Sequence, residues 1–236
     1  MKLKSLSSIW LFSALGNIPL VRSANVCLLL YQMADNNLEY FIGQDLDELS
    51  QSELIKTETL TTWVYFDHRN FGSDAYYEIT TPWPFVFNKD GSPQTGDKPQ
   101  GSFYFKQDHN QQKLVIEENL GELNSDLADT VENFVRTGLK DCKNQGAEEY
   151  MIIFSSHGGG FLGFGGDDHT RKLLQTNYDI VRALRSALDD NLGEKSKFDV
   201  VGFDACLMQA FGAADDYMSV AKYILASEEV EPGHGE

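Results

Sequence analysis

Apolar residues recur along this chain with two different periods. Five stretches are apolar on consecutive positions: "VCLLLYQM" (26–33), "TTWVYF" (61–66), "EYMIIFSS" (149–156), "FDVVGF" (198–203) and "AKYILAS" (221–227). Such runs read as strands covered on both faces. Between them the spacing changes to three and four. Leu38, Phe41, Ile42, Leu46 and Leu49 mark one helix face behind a cap in "ADNN", and Leu123, Leu127, Val131, Val135 and Leu139 mark a second. Ile180, Val181, Leu184, Ala187 and Leu188 follow Thr176 as a third, and Leu207, Met208, Phe211 and Met218 as a fourth. Strands alternating with amphipathic helices predict an α/β fold, a mostly parallel sheet with helices on both faces.

Residues 67–121 break this rhythm with proline and glycine and with the aromatic segments "DAYYEIT" and "GSFYFKQ". They read as an antiparallel hairpin insertion, too small to bury a core of its own and therefore not a second domain. The chain shows neither internal repeats nor low-complexity tracts. Its last stretch, "ASEEVEPGHGE", follows the fifth strand candidate without a terminating helix, which reads as a domain shortened at its C-terminal side.

Composition adds constraints on location and partners. The opening "MKLKSLSSIWLFSALGNIPLVRSANV" sets Lys2 and Lys4 before an apolar run, with small residues at Val21 and Ser23, the layout of a signal peptide over residues 1–23. Gly16, Asn17 and Pro19 interrupt the run, which falls short of the roughly 20 apolar residues of a membrane span. The expected location is the secretory pathway, the periplasm or outside the cell, with residues 24–236 forming one domain. The whole chain of 236 residues carries a formal charge of −17, and removal of Lys2, Lys4 and Arg22 leaves 16 basic residues against 36 acidic ones. Such a surface disfavours nucleic acid and anionic membranes and attracts cationic peptides.

Three cysteines, Cys27, Cys142 and Cys206, are too few and too widely spaced for a disulfide scaffold or a zinc ribbon. Cys27 reads as a small core residue, and Cys142, closing a predicted helix, fits core or surface. Cys206 is different. "MIIFSSHGGG" delivers His157 at the end of one strand, and "VVGFDACLMQ" delivers Asp204 and Cys206 at the end of another, directly before the fourth predicted helix. Ligands of open parallel sheets bind outside the carboxyl ends of the strands, so neighbouring strands would present both residues to one crevice. A cysteine in a helix's first turn feels the positive end of its dipole. A nearby histidine serves as base and then acid, and the glycines after it let backbone N–H groups reach an oxyanion. Asp204 alone reads most simply as a helix N-cap.

The segments "LLLYQMADNNLE", "SSHGGG", "GFDACLM" and "ILASEEVEPGHG", in this order over about residues 26–235, resemble the clostripain family of cysteine peptidases. That resemblance implies a three-layer caspase-like sandwich, shared with the gingipain, legumain and separase clan. It implies His157 as the catalytic histidine, Cys206 as the nucleophile, and Gly158 with the N–H of Cys206 as the oxyanion hole. Asp204 would then receive the arginine or lysine side chain of a peptide or protein substrate. Phe161 stands where relatives carry an aromatic residue, and the region in which they continue past the "PG" segment is not present. Many relatives are activated by cleavage between histidine and cysteine, which makes Arg171, Lys172, Lys195 and Lys197 candidates for self-processing. The dyad needs no cofactor. Some relatives depend on calcium, and "GGDDH" (165–169) offers oxygen ligands, but without the alternating spacing of a calcium loop it reads as solvated charge, as do Asp215, Asp216 and Tyr217.

Three rivals are open on the residues alone. HGGG also occurs as an oxyanion loop in α/β-hydrolase esterases, although GxSxG is missing and the later histidine would have to be His234. A metallohydrolase lacks HExxH spacing. A non-catalytic caspase-like binding protein would keep the dyad and lose the substrate walls.

Overall fold

A computed structural model describes residues 25–68, 101–170 and 175–231. The signal-peptide reading of residues 1–23, the "DAYYEIT" segment, and Arg171 and Lys172 lie outside the described residues. The strands are β1 (Val26–Met33), β2 (Leu60–Asp67), β3 (Ser102–Asp108), β4 (Lys113–Gly121), β5 (Glu149–Ser155), β6 (Phe198–Asp204) and β7 (Ala221–Leu225). The helices are α1 (Glu39–Gln51), α2 (Ala128–Asn144), α3 (Asn177–Leu192) and α4 (Phe211–Tyr217). Among the described residues the strands form one seven-stranded sheet in the order β4-β3-β2-β1-β5-β6-β7.

Strands β2, β1, β5, β6 and β7 run parallel, and the consecutive apolar positions of the sequence follow from burial on both faces. On one face Cys27, Leu29, Tyr31, Met33, Trp63 and Tyr65 pack with Val131, Phe134 and Val135 of α2 and with Ile180, Leu184 and Leu188 of α3. The Tyr31 ring stacks on Tyr65 at 4.5 Å between centroids, and its hydroxyl donates to the Ser125 carbonyl at 2.9 Å. On the other face Ile42 and Leu46 of α1 pack with Val64, Phe66, Phe103 and Phe105. Helices on both faces complete the three-layer sandwich.

The hairpin exists, with a different second strand. "GSFYFKQ" becomes β3, and its partner is β4, whose sequence "KLVIEENLG" is too polar to read as a buried strand. β3 also pairs antiparallel with β2, so the hairpin extends the main sheet. Helix α3 begins where expected, with the Thr176 side chain accepting the Asp179 N–H at 3.2 Å. The cap expected in "ADNN" for α1 is absent: the N-cap is Leu38, without a side-chain hydrogen bond. Tyr217, expected at the surface, is fully buried and donates to Asn177 Oδ1 at 3.2 Å.

Cys27 and Cys142 form a disulfide across a sequence separation of 115, with Cα atoms 5.5 Å apart. Both are fully buried, so each is a core residue as well, and the bond ties β1 to the last turns of α2. Cross-links that close long loops restrict the unfolded chain most, by about 3–5 kcal/mol for loops of this size. Reduction should lower the unfolding free energy by roughly that amount, measured as paired denaturant melts with and without a thiol reductant.

Candidate active site

Strands β5 and β6 pair in parallel with Ser155 opposite Asp204. Two residues beyond each partner stand His157 and Cys206, so their separation of 49 positions is the register offset of the two strands. The winding direction reverses between β1 and β5, so β5, which delivers His157, flanks the switch point of the sheet, with Cys206 one strand further on. A cleft of about 260 Å³ is lined by Leu38, Ile42, Asp45, Ser156, His157, Asp204, Ala205, Cys206, Val230 and Glu231.

The two loops touch through their backbones at Gly158. A Cβ there would overlap the Cys206 carbonyl oxygen and lie 2.9 Å from the Cys206 nitrogen, so only glycine fits. Among the described residues, neither the Gly158 nor the Cys206 N–H donates a backbone hydrogen bond. Both remain available to a developing oxyanion. The glycine run itself is held by a short ladder, Gly159 N to Gly163 O at 2.9 Å and Gly165 N to His157 O at 2.8 Å. It is a built turn, with Phe161 pointing outward at 78% exposure.

Cys206 does not stand in a helix's first turn. It occupies the turn before α4, which begins only at Phe211, so the expected helix-dipole contribution does not apply. Leu207 follows in the left-handed region at φ 65, an uncommon conformation for a non-glycine residue. With Ala210 as the N-cap of α4, Asp204 is not a helix cap either, and its side chain faces the cleft. Segment 227–231 straps this turn: Gln209 N donates to Ser227 O at 2.8 Å and Leu207 N to Glu229 O at 2.9 Å. The Glu231 N–H donates to Cys206 Sγ at 3.3 Å.

"ADNN" serves the histidine. Asn36 is buried, and its amide donates to Met33 O and Gly166 O at 2.8 Å and to Ser156 Oγ at 3.2 Å. Asn37 Oδ1 lies 2.8 Å from His157 Nε2. A carbonyl oxygen accepts, so Nε2 carries the proton and Nδ1 is the free basic atom. Burial holds the His157 pKa below its ordinary value, partly offset by Asp168. The neutral imidazole that a base requires is therefore present at neutral pH. The sequence reading missed Asn37, although its place four residues past the end of the strand next to β5 was a usable signal.

It also missed Asp45. This α1 carboxylate lines the cleft with Asp204, and burial, then Asp204, then Glu48 push its pKa up to about 7. Burial raises Asp204 as well. Neither has an ion-pair partner among the described residues.

The self-processing candidates separate by position. Lys195 and Lys197 precede β6, at the end of the sheet opposite Cys206, about 20 Å of strand away. In "GGDDH" Asp167 is 1% exposed and accepts from Ser125 N at 3.0 Å and Thr170 N at 2.8 Å, so it is a buried loop anchor. Asp168 and His169 are exposed.

A mostly parallel sandwich with a thiol and an imidazole at the carboxyl ends of adjacent strands defines a caspase-like α/β architecture. The profile of the clostripain family (Peptidase C11) matches residues 30–236, and the chain belongs to that family. Its fold is similar to that of a secreted C11 cysteine protease from Bacteroides thetaiotaomicron bound to an irreversible peptide inhibitor. That pair has a TM-score of 0.65 and 21% identity over 89% of this chain and 51% of the other. An inactive zymogen C11 protease from Parabacteroides distasonis is similar at a TM-score of 0.61 and 20% identity, over 90% and 51%. Iotapain, from B. thetaiotaomicron, is similar at 0.63 and 13%, over 90% and 54%. The chain thus spans about half the length of these structures. No curated protein matches it. The family match leaves the α/β-hydrolase reading without support.

Two substitutions test this geometry through alkylation of Cys206 by a small electrophile. Gly158→Ala must push the two loops apart, and a loss of about 2 kcal/mol of stability with at least a tenfold slower reaction is expected. Asn37→Ala should leave stability nearly unchanged, slow alkylation by roughly tenfold, about 1.4 kcal/mol, and lower the pKa of the pH–rate limb assigned to His157.

Proposed function

We propose that the protein is a secreted cysteine endopeptidase that cleaves peptide bonds after arginine or lysine. The observation that carries this is the pair Asp45 and Asp204, two partly buried carboxylates without a cation in the cleft that holds His157 and Cys206. Burial raises both carboxyls and the Asp204 charge raises Asp45 further; both effects oppose the charged forms, and a guanidinium or ammonium group relieves them. The acidic surface supports the same preference by attracting basic peptides.

His157 Nδ1 takes the Cys206 thiol proton, and Sγ attacks the scissile carbonyl carbon. The resulting oxyanion lies against the N–H groups of Gly158 and Cys206. His157 then protonates the leaving amine, the acyl-enzyme forms, and a water deprotonated by the same imidazole hydrolyses it. Each step uses groups of the chain and water, and none requires a cofactor. A buried disulfide fits an oxidising compartment, and among the described residues no helix is long and apolar enough to cross a membrane. Of the self-processing candidates, Lys195 and Lys197 are within reach only of a second molecule, whereas Arg171 and Lys172 follow the histidine loop directly.

Peptide amides ending in Arg, Lys, Asp or Leu, and matching peptidyl electrophiles, test the reading. Cys206→Ala should abolish turnover and labelling. Asp204→Ala should lower kcat/KM for Arg and Lys substrates by roughly 100-fold, about 2.7 kcal/mol, with little change for Leu. Equal turnover by wild type and Cys206→Ala would refute the mechanism, and an unchanged basic preference in Asp204→Ala would refute the specificity.

Asp45 adds a pH dependence. Its raised pKa means that the cleft gains negative charge as pH climbs through about 7, so KM for arginyl substrates should fall between pH 6 and 8. In Asp45→Asn that fall should disappear while the kcat profile persists. The sign for stability is opposite: the folded state binds the proton more tightly than the unfolded state, so Asp45 costs increasing stability from its ordinary pKa up to about 7. Asp45→Asn should therefore melt at a higher temperature than wild type at pH 8.

A further inference from the structure

Outside the cleft, Asp35, Glu122 and His169 each bring one ligand atom within 4.8 Å of the others. They come from the loop after β1, the turn after β4 and the loop beyond the glycine run. Asp35 is fully buried; its Oδ2 accepts the His169 N–H at 3.1 Å, and its Oδ1 has no hydrogen-bond partner. Asp67, also fully buried, accepts from Ser102 Oγ at 2.7 Å through Oδ1, and its Oδ2 has none. The two belong to one electrostatic group with Asp167 and Glu122. Burial, then the charge of Asp167, raises Asp35 to about 7; burial raises Asp67 to about 8 against the Ser102 hydrogen bond.

Buried carboxylate oxygens without donors cost on the order of 1–3 kcal/mol each, and this neighbourhood gathers two of them among further acids. A cation removes that cost. We propose that Asp35, Glu122 and His169 hold a divalent transition-series cation of the zinc or manganese type, with Asp67 and Asp167 supplying negative charge behind them. The imidazole decides the class, because calcium and magnesium prefer all-oxygen sites whereas zinc and manganese accept nitrogen with carboxylate. Ligands about 2.1 Å from a common ion lie up to roughly 4 Å apart, and rotation of the exposed Glu122 and His169 side chains closes the set to that size. The ion would bolt the end of β1 to the turn after β4 and to the histidine loop. Asn36 and Asn37 follow Asp35 directly, so the loop that orients His157 would be braced without the ion entering the reaction.

The test uses the full chain carrying Cys206→Ala, which removes the catalytic thiol as a competing zinc ligand. After EDTA treatment and desalting, titration calorimetry with ZnCl2 and MnCl2 should show one ion per chain. Saturating Zn2+ or Mn2+ should raise the melting temperature by several degrees, more than CaCl2 or MgCl2 does. His169→Ala and Glu122→Gln, both at exposed positions, should fold as the parent does and weaken binding at least tenfold each. The proposal is overturned if no ion raises the melting temperature or if a variant carrying both His169→Ala and Glu122→Gln binds zinc as tightly as the parent. It is equally overturned if calcium alone stabilises and His169→Ala leaves that effect intact.

Discussion

The site depends on the in-register parallel pairing of β5 with β6. With Ser155 opposite Asp204, the strands deliver a histidine and a cysteine to the same level of the sheet, and the backbones of Gly158 and Cys206 come into contact. A slip of two residues would move one group about 7 Å along the strand, beyond proton-transfer reach. The core secures that register from both strands: Ile152, Phe154, Val201 and Phe203 are buried, and Phe154 and Phe203 stack across the pair at 5.4 Å. Packing that looks purely structural therefore sets the geometry of the site. The disulfide acts in the same direction one strand away, by fixing β1 to α2.

Around that pairing the chain accumulates unfavourable charge. In the cleft Asp45 feels the charge of Asp204, and behind the histidine loop Asp35 and Asp67 feel that of Asp167. Each group resists burial by itself, and a purely structural loop would be more stable with amides or apolar side chains in these places. Concentrated like charge in a folded domain is informative, and it is the common ground of both proposals: a basic side chain in the cleft and a cation behind the loop.

The parts of the fold visible in the sequence are those determined by hydrophobic burial alone. The five parallel strands emerge from their apolar runs within one to two residues at most ends, because both faces are covered. The dyad is legible because a histidine and a cysteine each follow such a run. β4 was not, since an edge strand buries one face for only part of its length, and "EENLG" looks like loop. The start of the fourth helical pattern differs from α4 because Leu207 and Met208 carry helical spacing while the chain at Leu207 turns left-handed. Cys27 and Cys142 were each adequately explained as core residues, and nothing in a spacing of 115 reveals that α2 lays one upon the other. Asp45 sits on an amphipathic helix where a carboxylate normally faces water; only the direction of α1 across the sheet turns it into a cleft residue.

"ADNN" shows most clearly why local rules fail at functional sites. Asp and Asn before an amphipathic stretch ordinarily cap a helix, and here α1 starts without a side-chain cap. Three successive polar side chains instead serve the neighbouring loop: Asp35 accepts from His169, Asn36 holds Ser156 and Gly166, and Asn37 meets the imidazole. The helix forgoes roughly 1 kcal/mol of capping, and the protein obtains a histidine fixed in tautomer and position. Asn36 Oδ1 still accepts the Leu38 N–H at 2.8 Å, so part of the capping function is recovered from within the loop. The stretch is thus both the turn that starts α1 and the frame that holds His157, with the Asn36 amide divided between the two: its oxygen on the helix start, its nitrogen on the histidine loop.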